Sequence, residues 1–347
     1  MHLQPDRRVA ILLHDGIKGA HGKTGVALLR YSEATIVAVI DRECAGKSLP
    51  KLTGINRDVP IVATVEKALA YKPDVLIIGI APSGGVLPDE WWQEIKQATA
   101  SGLSIVNGLH TPMNTIPELQ DSLREGQWIW DVRQEPPNLP IAGARARSLA
   151  CRRVLTVGTD MGVGKMSTSL ELNKASQKRG LRSKFLATGQ AGLMIAGDGV
   201  PLDAVRVDFA AGAVEQTVMR YGSDRDILHI EGQGSLLHPG STATLPLIRG
   251  SQATHLILVH RPGQTHVRNH PQVEIPPLPE VIQLYETVAR AGGAFADVKV
   301  AAIALNTFHL NISEAQKAIE QVQAETGLPC TDVVRFGADA ILDTVMQ

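Results

Sequence analysis

Short apolar runs recur along the chain, separated by stretches whose apolar positions have helical spacing. In the first part, residues 9–13, 35–40, 61–63, 75–80 and 103–106 read as strands. Helical patterns such as 65–71 and 90–100 lie between them. This alternation predicts a parallel sheet with helices on both faces, a Rossmann-like α/β domain. Trp128-Ile129-Trp130-Asp131-Val132 reads as its last strand.

The next segment, Gln134-Glu135-Pro136-Pro137-Asn138-Leu139-Pro140, is rich in proline, which breaks regular structure. A linker is placed there. The expected domains are 1–140 and 141–347, with the boundary inside 135–150. A second strand–loop–helix series follows. Strands are expected at 153–157, 183–187, 227–230, 256–259 and 298–304, with helices at 166–179, 211–221, 278–291 and 313–326. Residues 262–279 are rich in proline, histidine and glutamine and lack periodicity. A loop of that length inside a compact domain is often functional.

Composition narrows the function classes. A chain of 347 residues fits two domains, and 44% hydrophobic with 20% charged residues is ordinary for globular folds. Lysine plus arginine (34) balances aspartate plus glutamate (35), which argues against a nucleic-acid partner. Aromatic residues are only 4%, which disfavours stacking on single strands. Cys44, Cys151 and Cys330 are odd in number and widely spaced, so neither a disulfide framework nor a zinc site is expected. Met1-His2-Leu3-Gln4-Pro5-Asp6-Arg7-Arg8 lacks the design of a signal peptide. No apolar stretch approaches the roughly 20 residues of a membrane span. A soluble, cytoplasmic protein without a membrane partner is the expectation.

The strongest chemical signal is Gly158-Thr159-Asp160-Met161-Gly162-Val163-Gly164-Lys165-Met166-Ser167-Thr168, set between a short apolar strand and a helix. That context is what a phosphate-binding P-loop requires. Glycines let the backbone curl round an anion, successive N–H groups form a nest, and the helix N-terminus adds positive potential. Lys165 supplies a mobile charge. Two departures stand out from the pattern G-x-x-x-x-G-K-[ST]. Gly158 lies six positions before Gly164 instead of five, and Met166 replaces the hydroxyl that ordinarily holds magnesium. Ser167 and Thr168 point elsewhere on the helix.

The loop resembles that of dethiobiotin synthetase and related amide-forming ATP enzymes. Ile227-Leu228-His229-Ile230-Glu231-Gly232-Gln233-Gly234 matches the strand whose Glu-Gly segment lies beside phosphates and metal in that family. Ile303-Ala304-Leu305-Asn306-Thr307 is a weaker match, and the resemblance implies that Asn306 reads a nucleotide base. The whole layout resembles more closely the family called domain of unknown function 1611. Gly22-Lys23-Thr24-Gly25, Leu29-Arg30-Tyr31, Gly164-Lys165-Met166-Ser167-Thr168, Ala187-Thr188-Gly189-Gln190-Ala191-Gly192 and Glu231-Gly232-Gln233-Gly234 carry that likeness over nearly the whole chain. A characterised branch acetylates the amino group of D-glutamate from acetyl-CoA. The resemblance therefore implies a P-loop NTPase-like C-terminal α/β domain, an N-acetyltransferase, acetyl-CoA as cofactor and an acidic amino acid as small-molecule substrate.

Cofactor contacts are expected at Gly158, Thr159, Asp160, Gly162, Val163, Gly164, Lys165, Met166, Ser167 and Asn306. Catalytic roles fall to Lys165, Glu231 and Arg206. Glu231 ends a strand at the sheet's carboxyl edge, and Arg206 can clamp a carboxylate. A backbone N–H of Gly189-Gln190-Ala191-Gly192 is a candidate oxyanion donor. His260, Arg261, His266, Arg268 and His270 suit a lid over anions better than a metal site, and no metal is expected. The loop His14-Asp15-Gly16-Ile17-Lys18-Gly19-Ala20-His21-Gly22-Lys23-Thr24-Gly25, with Asp41 beyond it, echoes a dinucleotide site but lacks the G-x-G-x-x-G fingerprint. Two other readings stay open: an ATP- and Mg²⁺-dependent ligase or kinase, and a non-catalytic nucleotide-binding regulator. A homo-oligomer is expected.

Overall fold

Each long apolar run becomes a strand of one of two parallel sheets. The computed structural model describes residues 3, 5–19, 21–80 and 87–347; Met1, His2, Gln4, Ala20 and 81–86 lie outside the described residues. The signal-peptide reading at the N-terminus and part of the His14–Gly25 reading therefore fall outside them. Two units are formed. One comprises Met1–Gln134 with Leu193–Ala204, the other Glu135–Gly192 with Val205–Gln347.

In the first unit, β1 (Arg8–Leu12), β2 (Thr35–Ile40), β3 (Ile61–Val62), β4 (Val75–Ile78), β5 (Ser104–Asn107) and β6 (Ile129–Asp131) form a sheet of order β3-β2-β1-β4-β5-β6. All neighbouring pairs are parallel. Helices α1 (Lys23–Tyr31), α2 (Leu49–Thr53), α3 (Val65–Ala68), α4 (Asp89–Ala100) and α5 (Pro117–Gln120) connect them. The pattern at 65–71 splits into α3 and a 3₁₀ turn, Leu69–Tyr71, which Lys72 ends in a left-handed conformation. The segment Leu193–Ala204 belongs to this unit, and its Asp203 pairs with Arg133.

In the second unit, β7 (Arg152–Gly158), β8 (Ser183–Leu186), β9 (Ile227–Ile230), β10 (His255–His260), β11 (Lys299–Leu305) and β12 (Cys330–Thr331) pair in parallel in the order β12-β11-β10-β7-β9-β8. The helices are α6 (Lys165–Lys178), α8 (Val207–Gly222), α9 (Thr244–Ser251), α10 (Leu278–Arg290), α11 (Ile312–Thr326) and α12 (Asp339–Met346), and α7 (Gln190–Ala196) starts in this unit and ends in the other. One core layer joins Val154, Ile257, Val259 and Ala302 of the sheet to Leu172 of α6 and Ile341 and Leu342 of α12. Helix α11 starts on a capping box: Asn311 accepts from the Glu314 N–H, and the Glu314 carboxylate accepts from the Asn311 N–H. Helix α8 begins four residues earlier than its apolar spacing suggested, because Arg206 takes an extended N-cap conformation and the alternating residues before it form a 3₁₀ turn, Leu202–Ala204.

The segment that follows the proline-rich connection is fastened to α8 by a buried acid. Glu215 accepts hydrogen bonds from the Gly143 N–H (3.2 Å), the Arg145 N–H (2.6 Å) and Arg145 Nε (2.8 Å). Burial pushes its pKa up, but the bonds from Arg145 and Gly143 outweigh that, and the net shift is downward. The carboxylate therefore stabilises the fold above the ordinary carboxylate range, and that contribution is lost as pH falls through the lowered folded value. At neutral pH, Glu215→Ala should reduce the unfolding free energy by about 2–4 kcal/mol in a urea titration. A change within about 0.5 kcal/mol would show that the clasp does not hold the connection.

Candidate functional site

The carboxyl edge of the second sheet gathers five loops around the end of β7, the place where open α/β sheets receive ligands. Strand β7 ends at Gly158, and α6 begins at Lys165. Gly164, the N-cap of α6, has φ 117°, a left-handed conformation that a side chain would strain. Val163 is buried beside Val154, Leu172 and Val259 and anchors the loop in the core. Lys165 is 6% exposed, and its ammonium donates to the Asp160 carbonyl at 2.7 Å. Gly232, first after Glu231, comes so close that an added Cβ would overlap the Thr156 carbonyl and lie 3.0 Å from Lys165 Cδ. Its N–H donates to Thr156 Oγ1 at 2.9 Å.

Asp160 is fully buried. One carboxylate oxygen accepts from the Met161 N–H at 2.6 Å. The other accepts from Gln264 Nε2 at 2.6 Å and the Arg268 N–H at 2.7 Å. The segment after β10 is thereby clasped to the loop. Three further bonds tie the loop to its neighbours: Thr159 Oγ1 shares a hydrogen with His260 Nδ1 (3.0 Å), Asn306 Nδ2 donates to the Val163 carbonyl (3.0 Å), and Tyr285 OH donates to the Gly158 carbonyl (2.8 Å). Arg261 Nη2 reaches the Gly162 carbonyl at 3.4 Å.

On the other side of β7, Glu231 is 6% exposed at the end of β9. Its Oε2 accepts from the Thr188 N–H (2.9 Å) and the Gly189 N–H (3.1 Å) beyond β8. The Gly189 N–H is thus committed to Glu231, and Gln190 opens α7. The Gln233 amide donates to the Thr188 carbonyl.

The fold brings the Gly158–Lys165 loop, Lys165, Glu231 and Asn306 to one edge. Met166 and Ser167 follow Lys165 in the first turn of α6, both half-buried. Thr168 Oγ1 is spent on the Gly164 carbonyl (3.1 Å), and Ser169 Oγ bonds the Ile230 carbonyl (3.2 Å). Arg206 stands elsewhere, at the N-terminus of α8, where the exposed guanidinium grips Glu135 at 2.7 and 2.9 Å. His266 faces Glu274 across an isolated antiparallel bridge, and His270 packs edge-on against His238, so the two do not share a helix turn. Among the described residues, no group of three or more His, Cys, Asp or Glu side chains is arranged to hold a metal ion.

Contacts that join distant segments escape sequence reading: the Asp160 clasp, the Tyr285 hydroxyl and the N–H groups on Glu231. The loops after β11 and β12 also frame an open cavity of about 660 Å³, lined by Leu310, Asn311, Ile312, Ser313, Arg335 and Phe336. In the first unit, the Asp41 carboxylate is occupied by the backbone N–H groups of Ile17 (3.4 Å), Glu43 (3.0 Å) and Cys44 (3.2 Å), a structural use that leaves it ill-suited to a ribose. All three cysteines are buried and free, and burial pushes the Cys330 thiol up to about 12.

Comparison with known proteins agrees with this architecture. Residues 140–342 match the family described as Domain of unknown function (DUF1611_C) P-loop domain, and residues 42–135 match its DUF1611_N Rossmann-like domain. The chain is 40% identical over 285 residues to a D-glutamate N-acetyltransferase of Tritonibacter scottomollicae, covering 81% of this chain and 84% of that protein. A D-glutamate N-acetyltransferase of a Pseudoalteromonas species is 35% identical over 295 residues, covering 84% and 85%. The crystal structure of a DUF1611 family protein from Anabaena variabilis ATCC 29413 superposes with a TM-score of 0.97 at 70% identity, covering 99% of this chain and all of that one. No helix among the described residues is long and apolar enough to cross a membrane.

Two imidazoles around the site are held neutral. Burial lowers the pKa of His260 to about 4 and that of His229, bonded to Ser176, to about 3. Both folded values lie below the unfolded value of 6.5, so their contribution to stability is complete above 6.5 and is lost as pH falls toward 4 and 3. In a histidine-labelled NMR titration, both rings should stay neutral down to about pH 5. A midpoint near the unperturbed value for either would contradict this packing.

Proposed function

The chain belongs to the DUF1611 family through both of its domains, and on that basis we propose that it is an N-acetyltransferase acting on the amino group of an acidic amino acid such as D-glutamate. The Gly158–Lys165 loop holds the phosphates of acetyl-CoA in this reading. The observation that carries it is the loop's own chemistry. Left-handed Gly164, the start of α6 and the buried Lys165 ammonium offer positive potential to a phosphate group. The residue after Lys165 is Met166, and Thr168 and Ser169 spend their hydroxyls on the Gly164 and Ile230 carbonyls. Ser167 sits about 100° further round the helix than the usual magnesium ligand. These features suit phosphates gripped directly better than phosphates bridged by magnesium, and so favour coenzyme A over Mg²⁺-ATP.

Coenzyme A thioesters supply an activated acyl carbonyl. The protein must then bind the amine, take its proton and exclude water. Glu231 takes the proton in this reading, which its position supports: it follows β9 and precedes Gly232, which packs on the Lys165 side chain. The N–H groups of Thr188 and Gly189 fix its orientation. Asn306, tied to the Val163 carbonyl, lies on the opposite side of β7 and borders the nucleoside end.

Acetyl-CoA with a panel of L- and D-amino acids should release thiol fastest with an acidic amino acid. Lys165→Ala should raise the KM for acetyl-CoA at least about tenfold, the loss of a charge-assisted bond. Glu231→Gln should lower kcat about 100-fold with little change in that KM. Thiol release with no amine, or magnesium-dependent ATP turnover instead, would sink this reading.

A further inference from the structure

The charged groups at the carboxyl edge of the second sheet are divided by β7. The acid side is built from β9 and β8 and holds Glu231 with its two N–H donors. The basic side is built from β10, β11 and β12. It presents Arg261, His266, Arg268 and His270 on the segment after β10, His309 after β11 and Arg335 after β12.

Carboxylates on the basic side do not neutralise these cations. Asp160 is occupied by Met161, Gln264 and the Arg268 backbone. Asp332 accepts from Thr307, Val334 and the Arg335 backbone, and Glu314 closes the cap of α11. Glu274 forms no ion pair among the described residues. Arg335 is spent on the Phe308 and Leu310 carbonyls. Among the described residues, Arg261 forms no ion pair and its guanidinium reaches the Gly162 carbonyl at 3.4 Å, and the exposed Arg268 guanidinium has no hydrogen bond or ion pair. Most other arginines of this unit do have partners, as in Arg145–Glu215, Arg179–Asp339, Arg182–Asp226 and Arg290–Glu286.

Arg268 cannot drift away from the loop, because its own N–H is bonded to the buried Asp160 carboxylate. His309 Nε2 donates to the Pro262 carbonyl at 3.1 Å, joining the start of this segment to the loop that runs on into the 660 Å³ cavity. Among the described residues, two guanidinium groups without a carboxylate partner thus stand on the segment clasped to the Gly158–Lys165 loop.

We propose that Arg261 and Arg268 form a second anion subsite that reads a phosphomonoester on the ribose of the bound nucleotide, the 3′-phosphate of coenzyme A. This rests on the reading that coenzyme A occupies the loop. Arg261 reaches the Gly162 carbonyl and the Arg268 backbone is bonded to Asp160, so a ribose phosphate next to a pyrophosphate on the loop comes within reach of both. Guanidinium forks match phosphate oxygens. The amine of the amino-acid substrate belongs to the other side of β7, with Glu231. The nucleotide's ribose phosphate and the reacting amine are therefore separated by position in the strand order.

Titration calorimetry with coenzyme A and 3′-dephospho-coenzyme A tests the assignment. The wild-type protein should bind coenzyme A about tenfold or more tightly than the dephospho form, the loss of one charge-assisted contact. Arg268→Ala and Arg261→Ala should each shrink that ratio toward one by weakening coenzyme A while leaving the dephospho form unchanged. Equal wild-type affinities, with coenzyme A bound, would overturn the subsite but leave the acetyltransferase reading intact. A variant that weakens both ligands equally, or that keeps the ratio and raises the KM of the amino acid, would likewise overturn the assignment of its arginine. No binding of either ligand to the wild-type protein would remove both readings.

Discussion

A carboxylate without solvent at Asp160 holds the phosphate loop in one shape. Burying such a group costs several kcal/mol unless hydrogen bonds replace the lost water. Here the donors come from the next residue, Met161, and from Gln264 and Arg268, more than a hundred positions along the chain. The loop and the segment after β10 are therefore one structural unit. The Asp160 carbonyl holds Lys165 and its side chain holds the segment after β10, so the two share an anchor. The Thr159–His260 bond reinforces the same seam, with the imidazole kept neutral by burial.

That anchor gives the sheet edge two different sides. Toward β9 and β8 there is an oriented acid, Glu231, close to the Lys165 stem through Gly232. Toward β10, β11 and β12 there are cations and an open cavity. In the proposed reaction the acid that takes the amine's proton lies across β7 from Arg261 and Arg268, which limits repulsion between its carboxylate and a phosphate that they hold. A magnesium-dependent enzyme solves the same problem with an ion and a hydroxyl after the loop lysine. Met166 at that position fits a direct protein–phosphate grip.

Much of the fold was legible because parallel strands covered on both faces read as continuous apolar runs. Residues 75–80 and 256–259 are examples, and both became central strands, β4 and β10. Strand β12 was not legible, since two residues, Cys330 and Thr331, carry no period. Helix α12 also went unseen, although it closes a core layer through Ile341 and Leu342. The phosphate loop was legible from its glycines and the elements on either side. The partners of Asp160 and Glu231 were not, because all but the Gln264 amide are backbone N–H groups brought in by the tertiary fold, which carry no residue-type signal. Arg206 looked like a substrate clamp by type alone, whereas its geometry is a two-point grip on Glu135.

The central claim is that the Gly158–Lys165 loop grips the phosphates of coenzyme A without a metal. Calorimetric binding of acetyl-CoA in excess EDTA, beside ATP with Mg²⁺, tests it most directly. The account predicts micromolar or tighter acetyl-CoA binding that EDTA leaves unchanged, with ATP weaker by about tenfold or more. Tight ATP binding that requires magnesium, with acetyl-CoA weak or chelator-sensitive, would contradict it.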